Sequence, residues 1–178
     1  AGKTKLLKQV SEREEYIDFL NKEISKYISR VLPQEKNPKD AKYISALFKV
    51  SSNLERIGDH AMNICEYTRM METKRIRLTE LEEKEVGEMK QACLDALGLL
   101  DKIRMDYTGE NIRSIEDMEQ KIDCMTEAFR QNQMNRLQNG QASDEMSILY
   151  SEMLTDFERI GDHILNIGQE AGLGKVGA

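Results

Sequence analysis

Four pairs of acidic residues share a spacing of four positions. The pairs are Glu14/Asp18, Glu55/Asp59, Glu119/Asp123 and Glu158/Asp162. In an α-helix the two members of such a pair lie on one face, about one turn apart. Like charges at this spacing repel by roughly 0.2–0.5 kcal/mol on an exposed helix. The pairs therefore either solvate outer helix faces or hold a cation.

The oxygen donors of these pairs indicate which cations would bind. Asn63 and Asn166 each follow an acidic pair by a further four residues and add an amide oxygen to the same stripe. Carboxylate and amide oxygens, without thiolates or clustered imidazoles, suit Mg²⁺, Ca²⁺, Mn²⁺ or iron, and the donors do not choose among them. The predicted metal ligands are Glu14, Asp18, Glu55, Asp59, Asn63, Glu119, Asp123, Glu158, Asp162 and Asn166.

The acidic pairs belong to an internal repeat. Residues 55–64 read ERIGDHAMNI and residues 158–167 read ERIGDHILNI, identical at eight of ten positions. Upstream, residues 14–18 correspond to residues 119–123. The chain therefore contains a duplicated unit, and the matched positions of the four pairs favour a cation site over merely solvated helix faces.

Two other residue types in the repeated motif have a predicted role. Gly58 and Gly161 stand in the middle of predicted helices, where glycine costs about 1 kcal/mol relative to alanine. A close approach is expected there, either of a packed helix or of a metal site. His60 and His163 lie about 100° around the helix from the neighbouring aspartates, so hydrogen bonding is favoured over metal ligation.

Apolar periodicity and breaker residues predict five helices. Both prolines lie in one segment, LPQEKNPKD, and the chain after it contains none. Asp40 and Ser143 are predicted N-caps, Thr79 and Glu82 form a predicted capping box, and Gly109 is a predicted stop. The predicted helices cover about 5–31, 40–74, 80–107, 110–137 and 144–170.

The repeat and the helices together predict an all-α, up-and-down helical bundle. The first two helices correspond to the last two, so the third helix opens the second unit and the first unit lacks its opening helix. The predicted units are 1–74 and 75–172, followed by a flexible tail over 173–178 because glycines are frequent there.

Composition excludes several classes of function. The net charge of −6 argues against a nucleic-acid groove, and no apolar run approaches the ~20 residues of a transmembrane helix. Three widely spaced cysteines argue against a disulfide framework. Nucleophile, phosphate-loop and dinucleotide motifs are absent, so the chain is not expected to be an enzyme. Ile57 and Ile160 occupy the positions where a ferritin-like di-iron site needs glutamate.

The motif ERIGDHxxNI, present twice in an acidic helical chain, resembles the signature of the PhoU family of phosphate-uptake regulators. The family fold implied is two repeated three-helix bundles. The stretch NKEISKYISRV is similar to the cytoplasmic PhoU-type domain of bacterial sodium/phosphate cotransporter family proteins. The resemblance implies multinuclear metal clusters at E(D)xxxD motifs, with Glu55, Asp59, Glu158 and Asp162 as the ligands carried over most directly.

The resemblance also implies partners and a location. We expect a metal-binding regulatory domain that controls phosphate transport at the cytoplasmic face of the cell membrane, acting on its own transmembrane domain or on a transporter complex. The alternatives are a free-standing negative regulator of a phosphate ABC transporter and its sensor kinase, and a metal-free scaffold or homodimerisation module. Lys22 stands where the second unit has Glu127, and Asn53 where it has Asp156, so weaker metal binding is expected in the first unit.

Overall fold

The computed structural model describes residues 2–105 and 108–175, and these residues form an all-α bundle, as predicted. No helix among them has an apolar stretch long enough to cross a membrane. A short 3₁₀ helix, Leu32–Gln34, connects the first two α-helices. The α-helices are α1 (Gly2–Val31), α2 (Pro38–Lys74), α3 (Glu80–Met105), α4 (Gly109–Gln138) and α5 (Asp144–Lys175).

Helix α2 begins two residues before the predicted start. Its N-cap is Asn37, whose side-chain oxygen accepts a hydrogen bond from the backbone N–H of Lys39 at 3.0 Å. Pro38 follows at the first helical position, where its fixed φ fits and its missing N–H costs nothing. The prediction of Asp40 as N-cap is therefore wrong, and Asp40 lies in the first turn, where its charge favours the helix dipole.

The N-caps predicted for the third and fifth helices are confirmed. The carboxylate of Glu82 accepts from the backbone N–H of Thr79 at 2.7 Å, and the Thr79 hydroxyl accepts from the Glu82 N–H at 3.4 Å. At α5, the hydroxyl of Ser143 accepts from the backbone N–H of Met146 at 3.3 Å. Local sequence thus defines where both helices begin.

Two predicted helix boundaries are corrected by the structure. Gly109 does not stop α3 but opens α4, with Thr108 as N-cap accepting from the N–H of Asn111. Helix α5 continues beyond Glu170 to Lys175, so the glycines in this stretch do not end it. The predicted flexible tail is helical as far as Lys175. Residues 106–107, where the third helix was predicted to end, and residues 176–178 lie outside the described residues.

Helices α2 and α5 form the central contact of the bundle. They run antiparallel, because Lys49 near the start of α2 pairs with Glu170 near the end of α5, and Lys74 at the end of α2 pairs with Glu145. Helix α1 packs on α2, whereas α3 and α4 both pack on α5. The second unit is therefore a complete three-helix bundle.

The hydrophobic core is concentrated in this second unit. Tyr150 and Phe157 on α5 are 0% and 5% exposed, whereas Leu47 and Leu54 at the matching positions of α2 are 45% and 44% exposed. Helix α3 packs on α5, and no described helix takes the equivalent place on α2. The predicted lack of an opening helix in the first unit is thus seen directly as an uncovered apolar face.

Candidate metal centre

Three carboxylates converge where α4 packs against α5. Glu119 and Asp123 extend from α4 and Asp162 extends from α5, and one ligand oxygen from each lies within 4.8 Å of the other two. All three side chains are partly buried. We call these three residues the second-unit cluster. It joins an acidic pair on one helix to the matching motif on its neighbour.

The second-unit cluster lacks full internal compensation for its charge. Burial, followed by the carboxylates of Glu158 and Asp162, raises the pKa of Asp123. Burial and the charges of Asp123, Asp162 and Glu116 likewise raise the pKa of Glu119. One carboxylate oxygen of Asp123 has no solvent access and no hydrogen-bond partner. Such an oxygen is costly to bury unpaired, so the donor set fits a hard cation.

A cleft of about 480 Å³ adjoins the second-unit cluster and includes Asp123 and Glu158 in its lining. The guanidinium of Arg130 crosses from α4 to donate to Glu158 at 3.0 Å and to the hydroxyl of Thr155 at 2.8 Å. The Thr126 hydroxyl, on a side chain only 1% exposed, also lines this cleft and has no hydrogen-bond partner. Glu158, the fourth predicted carboxylate of this unit, is thus held by a cation from the protein itself.

The matching carboxylates of the first unit lie between α1 and α2. Burial and the charge of Asp59 raise the pKa of both Glu14 and Glu55, so the two acidic pairs influence each other. The ammonium of Lys22 donates to Asp18 at 2.6 Å. Within the described residues, only the second-unit cluster brings ligand atoms of three such side chains within 4.8 Å of one another. The two units therefore differ in how closely their matching carboxylates approach one another.

Each of the repeated glycines faces an isoleucine of a neighbouring helix. A Cβ atom on Gly161 would lie 3.2 Å from Cδ1 of Ile122 on α4, and one on Gly58 would lie 3.7 Å from Cδ1 of Ile17 on α1. Ile17 and Ile122 occupy matching positions in the two units. Close helix packing therefore explains Gly161, whereas at Gly58 a Cβ atom would make an ordinary van der Waals contact.

The motif histidines form a contact between the two units. The rings of His60 on α2 and His163 on α5 stack with centroids 5.4 Å apart. Nδ1 of His60 lies 2.5 Å from a carboxylate oxygen of Asp156, and Nδ1 of His163 lies 2.8 Å from the amide oxygen of Asn53. The hydrogen-bonding role predicted for the histidines agrees with these contacts.

Asn63 and Asn166, both predicted ligands, take part in the same contact between units. The amide nitrogen of Asn63 donates to Asp156 at 3.2 Å, and that of Asn166 donates to Asn53 at 3.5 Å. The structure therefore uses these amides between α2 and α5, whereas the carboxylates face α1 and α4. An i, i+8 spacing drifts around the helix by about 80°, which is why the stripe divides.

A buried polar network in the second unit is not predicted from the sequence. Glu85 on α3 accepts hydrogen bonds from Arg136, Asn132 and Tyr150, and all but Asn132 are buried. Glu82, read from the sequence only as a capping residue, is 0% exposed beside it. A comparison of the two repeats could have indicated this network. The first unit has the apolar residues Val31 and Leu47 where the second has Arg136 and Tyr150.

The comparisons with known proteins agree with the bundle and its repeat. A "Phosphate-specific transport system accessory protein PhoU homolog 1" from Thermotoga maritima is 29% identical over 167 residues, covering 93% of this chain and 71% of that protein. The phosphate transport system regulatory protein PhoU from Streptococcus pneumoniae superposes with a TM-score of 0.82 at 21% identity, over 100% of this chain and 83% of that one. PhoU from Pseudomonas aeruginosa superposes with a TM-score of 0.72 at 21% identity, over 97% and 82% of the two chains. The PhoU domain family model matches residues 1–68 and 86–171. The chain therefore belongs to the PhoU domain family.

Proposed function

We propose that this chain is a metal-binding regulatory domain that controls phosphate uptake through a membrane transporter. Its family membership supports a regulator of phosphate transport, since the relatives named above are an accessory protein and a regulatory protein of such systems. The role is regulatory and not catalytic.

The observation that carries the metal part of the proposal is the second-unit cluster. Asp123 has a buried carboxylate oxygen without a partner, and two further carboxylates lie within 4.8 Å. A hard cation such as Mg²⁺, Ca²⁺, Mn²⁺ or iron, alone or in a multinuclear site, would supply the positive charge that this group lacks. Glu119 and Asp123 on α4 and Asp162 on α5 would hold it.

Regulation would follow from the place of the cluster between two helices. With the charges of Glu119, Asp123 and Asp162 neutralised, α4 and α5 no longer repel each other at this point. Metal occupancy then changes how tightly α4 packs on α5 and hence the surface offered to the transporter. A ligand that binds the folded state at a concentration of 100 times Kd adds about 2.7 kcal/mol of stability.

The partner is either a transmembrane domain of the same polypeptide or a separate transporter. The first reading rests on the resemblance of NKEISKYISRV to the cytoplasmic domain of sodium/phosphate cotransporter family proteins. The second is a free-standing regulator of a phosphate ABC transporter and its sensor kinase. It is favoured by the Thermotoga maritima relative, which is an accessory protein of a phosphate-specific transport system. A membrane-spanning segment encoded in the same open reading frame would select the first reading, and its absence would select the second.

Two measurements test the proposal. Elemental analysis of protein purified without chelator or nickel should find a hard cation, which Asp123→Asn removes. Phosphate uptake by cells that carry Glu158→Ala with Asp162→Ala should then differ from uptake with the unmodified protein. Unchanged uptake would refute the regulatory role of the site. Protein that is purified without metal and whose melting temperature does not change when these cations are added would favour a scaffold or dimerisation module.

A further inference from the structure

The two units place opposite charges at one matching position of their carboxylate sites. Lys22 follows Asp18 by four residues in α1, and Glu127 follows Asp123 by four residues in α4. Because residues at this spacing share a helix face, each side chain can reach the acidic pair behind it. The difference at this position is two units of charge.

Lys22 places one positive charge at the first-unit site from within the protein. Its Nζ atom lies 2.6 Å from Oδ2 of Asp18. The hydrogen bond and charge of Asp18, together with the charges of Glu14 and Glu55, raise the pKa of the ammonium group. Three of the four carboxylates of this unit therefore act on one tethered cation.

The second unit has no matching lysine and shows the consequence. Glu127 lines the cleft beside Asp123, so it adds a negative charge where the first unit has a positive one. Asp123 keeps a buried oxygen without a partner, and the 1% exposed hydroxyl of Thr126 in the same cleft is also unpaired. Arg130 donates to Glu158, and Arg159 donates to Asp162 at 3.2 Å, but neither arginine contacts Asp123 among the described contacts.

We propose that Lys22 is the resident counter-cation of the first unit, so that this unit takes no metal and only the second-unit cluster is loaded. The proposal rests on the proposed metal function. It states that the repeats have diverged into one site with a tethered ammonium group and one in which the unpartnered Asp123 carboxylate binds a hard cation. A single substitution at the matching position should interconvert them.

The test is a reciprocal exchange of charge in the full chain, with Mn²⁺ as the probe in calorimetric titration. Lys22→Glu should add a second set of Mn²⁺ sites. The affinity of the first unit for Mn²⁺ should then be at least tenfold higher than in the unmodified protein. Glu127→Lys should remove the original set, since its ammonium group can reach Asp123. Lys26→Glu is the matched control, because this lysine lies one turn further along α1, is similarly exposed and pairs with Glu23.

Metal-free melting curves give a readout that needs no bound ion. Lys22→Glu should lower the melting temperature more than Lys26→Glu, and Glu127→Lys should raise it. The proposal would be overturned if Lys22→Glu and Lys26→Glu had equal effects on both the Mn²⁺ stoichiometry and the melting temperature. It would also be overturned if Glu127→Lys left the Mn²⁺ sites of the unmodified protein intact. Unmodified protein that binds no Mn²⁺ at all would instead refute the metal function itself.

Discussion

Replacement of Arg136 by alanine should be among the most destabilising single changes in this chain. Its guanidinium donates to Glu85 at 2.7 and 3.2 Å, and its Nε lies 3.6 Å from a Glu82 oxygen that has no hydrogen-bond partner. Removal of one partner from a buried ion pair costs about 3–5 kcal/mol, because the other charge stays buried without compensation. For a chain of this length the melting temperature should fall by roughly 6–20 °C.

Urea denaturation followed by circular dichroism measures this change. Arg113→Ala is the matched control, since Arg113 lies on the same helix, is exposed and donates only to the carbonyl of Gly109 among its described contacts. Its effect should stay within about 0.5 kcal/mol. A decrease in the free energy of unfolding of less than about 1 kcal/mol for Arg136→Ala would refute the view that this network is desolvated and rigid.

The same network predicts a dependence of stability on pH. Burial alone would raise the pKa of Glu85, but hydrogen bonds from Arg136, Tyr150 and Asn132 outweigh it and hold the pKa below its usual value. In acid the unfolded state therefore binds more protons at this group than the folded state. The stability that Glu85 contributes is present above its unfolded pKa and is lost as the pH falls through its folded pKa. Arg136→Ala should reduce this loss of stability in acid. An unchanged dependence of the free energy of unfolding on acidic pH would contradict the role given to Glu85.

Three further changes test the helices and the site. Gly58→Ala should stabilise the protein by up to about 1 kcal/mol, whereas Gly161→Ala should stabilise it less or destabilise it, because the new Cβ atom would lie 3.2 Å from a fully buried isoleucine. Equal gains in the free energy of unfolding, measured by urea denaturation of both variants, would contradict this. Thr79→Ala removes a capping box and should cost about 1 kcal/mol in the same assay. Asp123→Asn should raise the melting temperature of metal-free protein and abolish any rise on addition of Mn²⁺; a lower metal-free value would show that the charge of this carboxylate is already compensated.

The sequence predicts most of the fold because local rules determine helix ends and duplication determines which helices correspond. The Thr79 capping box could be predicted because its two hydrogen bonds involve residues three apart. The choice between Asn37 and Asp40 as N-cap could not, since both residue types cap well and Pro38 decides between them through its fixed φ. Such errors move a boundary and leave the packing face unchanged.

The site is only partly predictable for a different physical reason. Spacing of four places Glu119 and Asp123 on one face, but it does not say which partner helix faces them or which side chains already carry a counter-charge. Asn63 has the same periodicity and instead donates to Asp156 across the contact between units. Glu85 is charged, and charged residues are mostly exposed, so its burial follows only from the position of Arg136 in three dimensions.

The two units show how one repeated motif can be satisfied in two ways. A pair of carboxylates held between packed helices is unfavourable without a positive charge nearby, whatever the source of that charge. In the proposed scheme Lys22 supplies it in the first unit through a tethered side chain, so the packing of α1 on α2 needs no bound metal. In the second unit Asp123 keeps an unpaired buried oxygen, and under the same proposal the packing of α4 on α5 depends on a bound cation. The proposal therefore confines any metal-dependent change in helix packing to the second unit.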